Sequence, residues 1–282
     1  MNIKPNPLFT LLVVAFFFNA SPSLSAQEYE QIDKTNYIGY YTYEFQEDSS
    51  SLVSRKTQEM CLYLGQAHSI FEHSGKALKD SLLYKYRNED QEKVALKIMP
   101  ILMSNRSSFF TKYSIVKNRD QQGITELYET ISKANFSVQE KLVFNWQLIN
   151  TPDTIISTFP CKQATVHYAG RIYTAWYTLK IPISDGPYKF KGLPGLIVKI
   201  EDQQAQHVFE LTSFQPVNYE KPMLKPIGNY QTISAEAYNK AKKADLMAQM
   251  KKYLSPNRVE NSEDMARMEA RMKGVNNYIE RY

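Results

Sequence analysis

A chain of 282 residues is long enough for one large domain or two small ones, and its formal net charge of +5 is modest. An apolar fraction of 43%, with 13% aromatics that include 20 tyrosines, supplies a core and excludes an intrinsically disordered chain. Tyr, Phe, Val, Ile and Thr fit a pleated, half-buried surface, so β structure should dominate the first two thirds.

The chain opens with Lys4, an apolar run from Leu8 to Phe18 and the small polar residues "NASPSLSA", the pattern of an export signal cut after Ala26. The run is shorter than the roughly 20 apolar residues a membrane-spanning helix needs. The expected mature chain starts near Gln27 and is exported, to the periplasm, the outer membrane or the medium. Removing residues 1–26 deletes one lysine and leaves +4, and residues 219–282 hold twelve Lys/Arg against eight Asp/Glu, so the excess lies there. A helix face with Lys240, Lys242, Lys243, Lys251 and Lys252 could meet an anionic membrane, or be a solvated face with Asp245 interspersed. Export and a neutral main body exclude nucleic acid as a partner.

"YIGYYTYEFQED" alternates as a strand, a serine-rich turn follows, and "KTQEMCLYLG" and "HSIFEHS" read as the next two strands. From Lys76 to Met103 the texture is helical, in two pieces broken near "RNEDQE", with Pro100 expected to kink or end the second. Strands return with "SFFTKYSIVKN", "GITELYETIS", "FSVQEKLVFNWQLI", "CKQATVHYA", "RIYTAWYTLKIPI", "LIVKIED" and "HVFELTSFQPV". Their regular spacing predicts an antiparallel meander with tight turns at Asn118–Gly123 and Ala169–Gly170. Pro222, Pro226 and Gly228 mark the passage to a helical tail, where Ser234 can cap one helix and Ser262 start another with Met265, Met268 and Met272 on one face.

The expected fold is therefore α+β: an antiparallel β-meander forming a curved sheet or open half-barrel, with a helical insertion at about 76–104 and C-terminal helices. The domain reading is a signal peptide at 1–26, a β-rich domain at 27–230 and a helical tail at 231–282.

"DGPYKFKGLPGLIVKIED" (185–202) is rich in glycine and proline. A phosphate loop would need Gly-x4-Gly-Lys-Ser/Thr before a helix, but Gly195 precedes a strand. Leu193, Pro194 and Gly195 instead fit a type II turn with a positive backbone angle at Gly195, and Gly186-Pro187 makes a bend upstream. If the stretch between them is extended, Tyr188 and Phe190 face one way, and Lys189 and Lys191 the other, toward solvent.

The frame "AWYTLKIPISDGPYKFKGLPGLIVKIED" resembles the signature of the GLPGLI family, exported proteins of Bacteroidetes-type bacteria, with the six letters standing at Gly192, Leu193, Pro194, Gly195, Leu196 and Ile197. "CKQATVHYAGRIYTAWYT" and "LYLGQAHSIFEHS" are similar to the family as well. The resemblance implies an envelope protein often encoded beside outer-membrane transport components. It implies no catalytic residue and no cofactor, since that family has no established activity.

Cys61 and Cys161 form an even pair in an exported chain, so a disulfide closing 100 residues and contributing up to about 4.7 kcal/mol stands against two separate buried thiols. His68, Glu72 and His73 do not share one strand face, which argues against a metal site. There is no Gly-x-Ser-x-Gly and no His-Glu-x-x-His, and sequence does not decide whether Asp202 and His207 converge. Tyr41, Phe110, Trp146, Trp176 and Phe209 could line the concave side of a half-barrel as a site for a hydrophobic ligand, or fill a core. The functional expectation is an exported, non-catalytic binding or accessory protein of the cell envelope that holds a hydrophobic ligand or serves an outer-membrane transporter. The alternative is a periplasmic enzyme without a recognised motif.

Overall fold

The computed structural model describes residues 28–104, 111–119, 123–253 and 275–281. The expected signal peptide, Phe110 and the second tail helix with its methionines lie outside the described residues. Three strands, Tyr37–Gln46 (β2), Arg55–Leu64 (β3) and His68–His73 (β4), form a meander preceded by Glu28–Lys34 (β1). Helices Ser74–Lys85 (α1) and Gln91–Ser104 (α2) follow, and the charged run between them breaks the helix as expected. Pro100 does not end α2, which continues to Ser104. Pro100 and Leu96, whose carbonyl would have bonded the missing N–H, are both exposed, so water can replace the lost bond.

Beyond the helices lie Ser114–Asn118 (β5), Ile124–Ile131 (β6), Ala134–Lys141 (β7), Gln147–Ile156 (β8), Phe159–Tyr168 (β9), Arg171–Thr178 (β10), Leu196–Asp202 (β11) and His207–Pro216 (β12). Pro222–Ile227 (β13) pairs antiparallel with β1 as a separate ribbon, and Gln231–Thr232 (β14) joins β7 in parallel. The chain ends with helix Ala235–Tyr253 (α3), capped by the Ser234 hydroxyl accepting from the Ala237 N–H at 3.2 Å, and the segment 275–281. The main sheet runs β14-β7-β6-β5-β4-β3-β2-β12-β11-β10-β9-β8 and is not closed into a barrel.

"FSVQEKLVFNWQLI" is therefore not one strand. Its two halves are β7 and β8, near opposite ends of the twelve-stranded order, joined by residues 142–146. Six extended steps from Lys141 to Gln147 span at most about 20 Å, so the sheet must curl until its ends come that close. Phe144 and Trp146, in the connection, pack against Phe190 with ring centroids 5.5 and 6.4 Å away.

Curling turns one face inward. Tyr41, Leu62, Phe71, Ile115, Leu127, Val138, Tyr173 and Phe209, contributed by strands from β2 to β12, belong to a single core. Its middle is filled by the chain itself. Residues 179–195, between the paired ends Thr178 and Leu196 of β10 and β11, pass through the trough with Tyr188, Lys189, Phe190 and Leu193 buried. The expected alternation of buried aromatics and exposed lysines fails here, because both sides of this segment meet sheet. We refer to residues 179–195 as the plug.

Polar groups tie the plug to the strands around it. Asp185 accepts from the Ser69 hydroxyl at 2.6 Å and pairs with Lys117, whose ammonium also donates to the Gly186 carbonyl at 2.5 Å. Lys189 Nζ lies 2.5 Å from Glu140 and 2.7 Å from Glu280. Lys191 donates to the Gly123 carbonyl at 2.7 Å and to Thr125 at 3.1 Å. Lys117, Asp185, Lys189 and Glu280 are removed from water, which is tolerable only with their partners in place.

The motif glycines serve this packing. Gly195 is absent from the positive-φ glycines, so the type II turn is not formed; a Cβ there would stand 2.1 Å from the Thr178 carbonyl oxygen, and close approach is what excludes a side chain. The positive angle falls on Gly192, at φ 98°. Gly186 is likewise pressed against Ile197, 2.8 Å from where its Cβ would be.

Substitution of Lys189 by Ala should lower the unfolding free energy by about 3–5 kcal/mol, because the Glu280 carboxylate would stay buried without its ammonium. Gly195→Ala should also destabilise, while Lys133→Ala, at an exposed turn, should stay within about 0.5 kcal/mol. Urea unfolding of the three variants checks this, and a neutral Lys189→Ala would contradict the buried placement.

Candidate functional site

Of the aromatic residues expected to line a ligand surface, the four described, Tyr41, Trp146, Trp176 and Phe209, do not form one. Tyr41 and Phe209 are wholly inside the core, and the Tyr41 hydroxyl donates to the Ile197 carbonyl at 2.7 Å. Trp146 donates from Nε1 to the Lys191 carbonyl at 2.9 Å, and Trp176 is half-buried with the Lys199 ammonium 5.2 Å from its ring. The concave side is occupied by the plug, and an open hydrophobic trough does not exist.

Nor are Cys61 and Cys161 bridged; both are free and buried. Cys161 belongs to the inner core, whereas Cys61 alternates with the core residues Met60 and Leu62 and faces the other side of the sheet, near Tyr63 and Glu72. A bond would have to pass through the sheet. Burial pushes the Cys61 thiol up to about 12 and the Cys161 thiol up to about 11, so both behave as small hydrophobes.

Among the described residues no group of His, Cys, Asp and Glu could hold a metal. His73 accepts from the Gly75 N–H at 3.0 Å and caps α1, and Glu72 accepts from Lys76 and Ser114. Asp202 and His207 do converge, but not as a catalytic pair. Asp202 pairs with Arg171 at 2.8 Å and accepts the His207 backbone N–H at 2.7 Å, while the imidazole Nδ1 lies 2.8 Å from the Tyr43 hydroxyl. Burial, then the charge of Arg171, pushes His207 down to about 3, which keeps it neutral.

These groups belong to a buried polar seam closed by residues 275–281. Arg171 donates to Asn277 at 2.5 Å and to the Tyr278 carbonyl at 2.7 Å. Glu280 accepts from Tyr168 at 2.5 Å and Tyr188 at 2.8 Å beside Lys189, and Tyr173 donates to the Ile279 carbonyl at 2.8 Å. The tail thus fastens the plug, β9 and β10 together. A groove beside it, of about 460 Å³, runs past His167, Gly170, Gln203 and Arg281.

Another concavity lies on the other face of the sheet. There Ile70, Val116, Tyr128 and Met223 make a second, smaller core beneath the β1–β13 ribbon, and α1 packs against β3 and β4. A cavity of about 330 Å³ opens between α1, the ribbon and the end of β6. Tyr29, Tyr128, Tyr230 and Pro226 give it an apolar wall; Lys76 and Asp80 line its polar side, and Lys79, Thr111, Lys112 and Thr130 complete it. Tyr128 and Tyr230 meet edge to face, centroids 5.0 Å apart.

Lys76 is clamped by Asp80 at 2.5 Å, Ser114 at 2.6 Å and Glu72 at 2.9 Å. A lysine beside a serine can serve as a base only when neutral. Burial lowers the Lys76 pKa, but Asp80 and Glu72 outweigh it and hold the ammonium above its ordinary value. This Ser114–Lys76 contact therefore generates no nucleophile. Sequence reasoning missed the cavity because the β1 and β13 segments carry too many charges and prolines to read as strands. The spacing of Glu72, Lys76 and Asp80, each four apart, was the available signal.

Residues 115–199, from β5 into β11 and including the whole plug, match a family model described as "Protein of unknown function (Porph_ging)". The matched stretch contains the six-letter motif, though the model does not carry the GLPGLI name. The chain is also similar to two solved structures, described as "Structure of PNGF-II in P21 space group" and "Structure of PNGF-II in C2 space group". Identity is 12% to each, with TM-scores of 0.49 and 0.48 and coverage of 75% of this chain. It spans 34% and 33% of the length of those chains. No curated protein matches the chain.

The seam yields a pH prediction. His207 stays neutral in the fold down to about pH 3, but the unfolded chain binds that proton below its ordinary value of 6.5, so between those limits the unfolded state holds more protons. Stability should fall as pH drops through this window, His207 contributing up to about 1.4 kcal/mol per pH unit. Urea unfolding of wild type and His207→Gln at several pH values from about 6.5 to 4.5 measures that share. Equal slopes for the two proteins would contradict the buried, neutral imidazole.

Proposed function

We propose that this protein is an exported, non-catalytic binding protein of the cell envelope whose ligand site is the cavity between α1, the β1–β13 ribbon and β6. The observation that carries the reading is the division of the two faces. The inner face is spent on the chain's own plug, while the outer face keeps an aromatic-walled cavity of about 330 Å³ with charged groups on one side. That volume lies at the small end of ligand pockets, about 300–1,000 Å³, and an apolar wall with a few fixed polar groups is their usual chemistry. The Lys76 ammonium, held by three acceptors, suits a fixed binding group better than a proton-transfer group. Export is supported by the N-terminal pattern alone.

An accessory role beside a transporter draws on a different feature. Leu96, Met99 and Met103 leave α2 with an exposed apolar face, which is partner-contact chemistry. Among the described residues no helix is long and apolar enough to cross a membrane.

Native mass spectrometry of the protein purified from its own host tests the reading. The expected result is a chain starting near Gln27 that retains a small molecule, released by Tyr230→Ala. A bare chain would remove the ligand, a co-purified partner without ligand would favour the accessory role, and a chain starting at Met1 would remove export.

A further inference from the structure

We infer that the cavity takes a small amphipathic anion: a one- or two-ring aromatic or alicyclic body carrying a carboxylate, sulfonate or phosphate. This rests on the cavity being a ligand site. Its body-binding side is Tyr29, Tyr128 and Tyr230, three ring faces and edges that offer flat apolar area. The volume of about 330 Å³ admits a ring system and is too small for a two-chain lipid.

The sign of the polar group follows from which charges are already answered. Lys76 is more than answered within the fold by Glu72 and Asp80, a cluster with one negative charge to spare. Asp80 is in turn held by Lys76 and lies against the Tyr29 hydroxyl, whose pKa is raised by burial and then by that carboxylate. Glu129 lines the cavity, but its carboxylate is engaged with Tyr238 and Lys242. Lys79 and Lys112 remain. Both line the cavity, both are exposed, and among the described residues neither has an ion-pair partner. The two ammoniums, one on α1 and one just before β5, outnumber the single carboxylate charge left over from the Lys76 cluster, so the balance at this cavity is positive. A ligand whose rings lie against the tyrosines and whose anionic group meets these lysines satisfies both halves. A cationic or purely apolar ligand leaves one half unused.

Anilinonaphthalene sulfonate, an aromatic body with one anionic group, serves as the probe, and N-phenylnaphthylamine is its neutral counterpart. The sulfonate should bind with fluorescence gain, weaken with added salt, and lose about three- to tenfold in affinity in Lys79→Ala/Lys112→Ala, as two exposed charge contacts would give. Tyr230→Ala should weaken both probes, and the lysine variant should leave the neutral one unchanged. Equal binding of both probes, indifferent to the lysines but sensitive to Tyr230→Ala, would overturn the anion inference and leave the cavity reading standing. Failure of both probes to bind would overturn both, as would sulfonate binding that Leu96→Ser/Met99→Ser removes and Tyr230→Ala does not.

Discussion

A lysine ammonium in the middle of an apolar trough is stable only where carboxylates have been brought to it. Lys189 sits there, 1% exposed, between Glu140 of β7 and Glu280 of the C-terminal segment. Three stretches distant in sequence must therefore meet before that charge is satisfied. Breaking such a group costs several kcal/mol, whereas forming it adds little beyond what an apolar residue would, so its main effect is to penalise every arrangement in which the plug is elsewhere. The Lys117–Asp185 pair does the same on the far side of the plug. Burial presses the Lys117 pKa down while Asp185 opposes it, which keeps the pair dependent on its own geometry.

From the filled trough the rest of the architecture follows. A sheet of twelve strands that buries one face on a single segment must curl around it, and the short connection through Phe144 and Trp146 holds its ends within reach of each other. With the inner face consumed, the proposed site lies on the outer face. There the sheet carries its own small core under a two-stranded ribbon and a helix, and the imperfect fit between these covers leaves the cavity. The proposed site is thus a by-product of how the outer face is covered, and its aromatic and basic residues come from the ribbon, α1, the approach to β5 and the outward positions of β6.

Much of this was legible in the sequence, and the boundary is instructive. Alternating branched and aromatic residues marked β2, β3, β4 and β9 to β12, because each packs one side against a core. The glycine-rich stretch stood out as special, but as a turn with a positive angle at Gly195, whereas the fold needs glycine there for scarce space. A positive angle at Gly195 and a close approach of Gly195 to Thr178 demand the same residue, and one sequence cannot separate them. Lys189 looked exposed because charge usually is, and a partner 49 residues away leaves no local trace. The single reading of "FSVQEKLVFNWQLI" failed on topology: a five-residue step between sheet ends has the same composition as a strand that simply continues. The candidate cavity was almost invisible, since Tyr29, Pro226 and Tyr230 sit in segments whose strand character comes only from pairing with each other or with the sheet.

The central claim is that the middle of the plug, residues 185–190, is interior. Amide hydrogen exchange tests it directly, because the N–H groups of Ile183, Asp185, Phe190, Leu196 and Ile197 all donate within the plug or to its flanks. The account predicts that these amides exchange only with global opening, together with paired amides of β2 and β12. Exchange within seconds across 183–197, while β2 and β12 stay protected, would mean the plug is a surface loop and would contradict it.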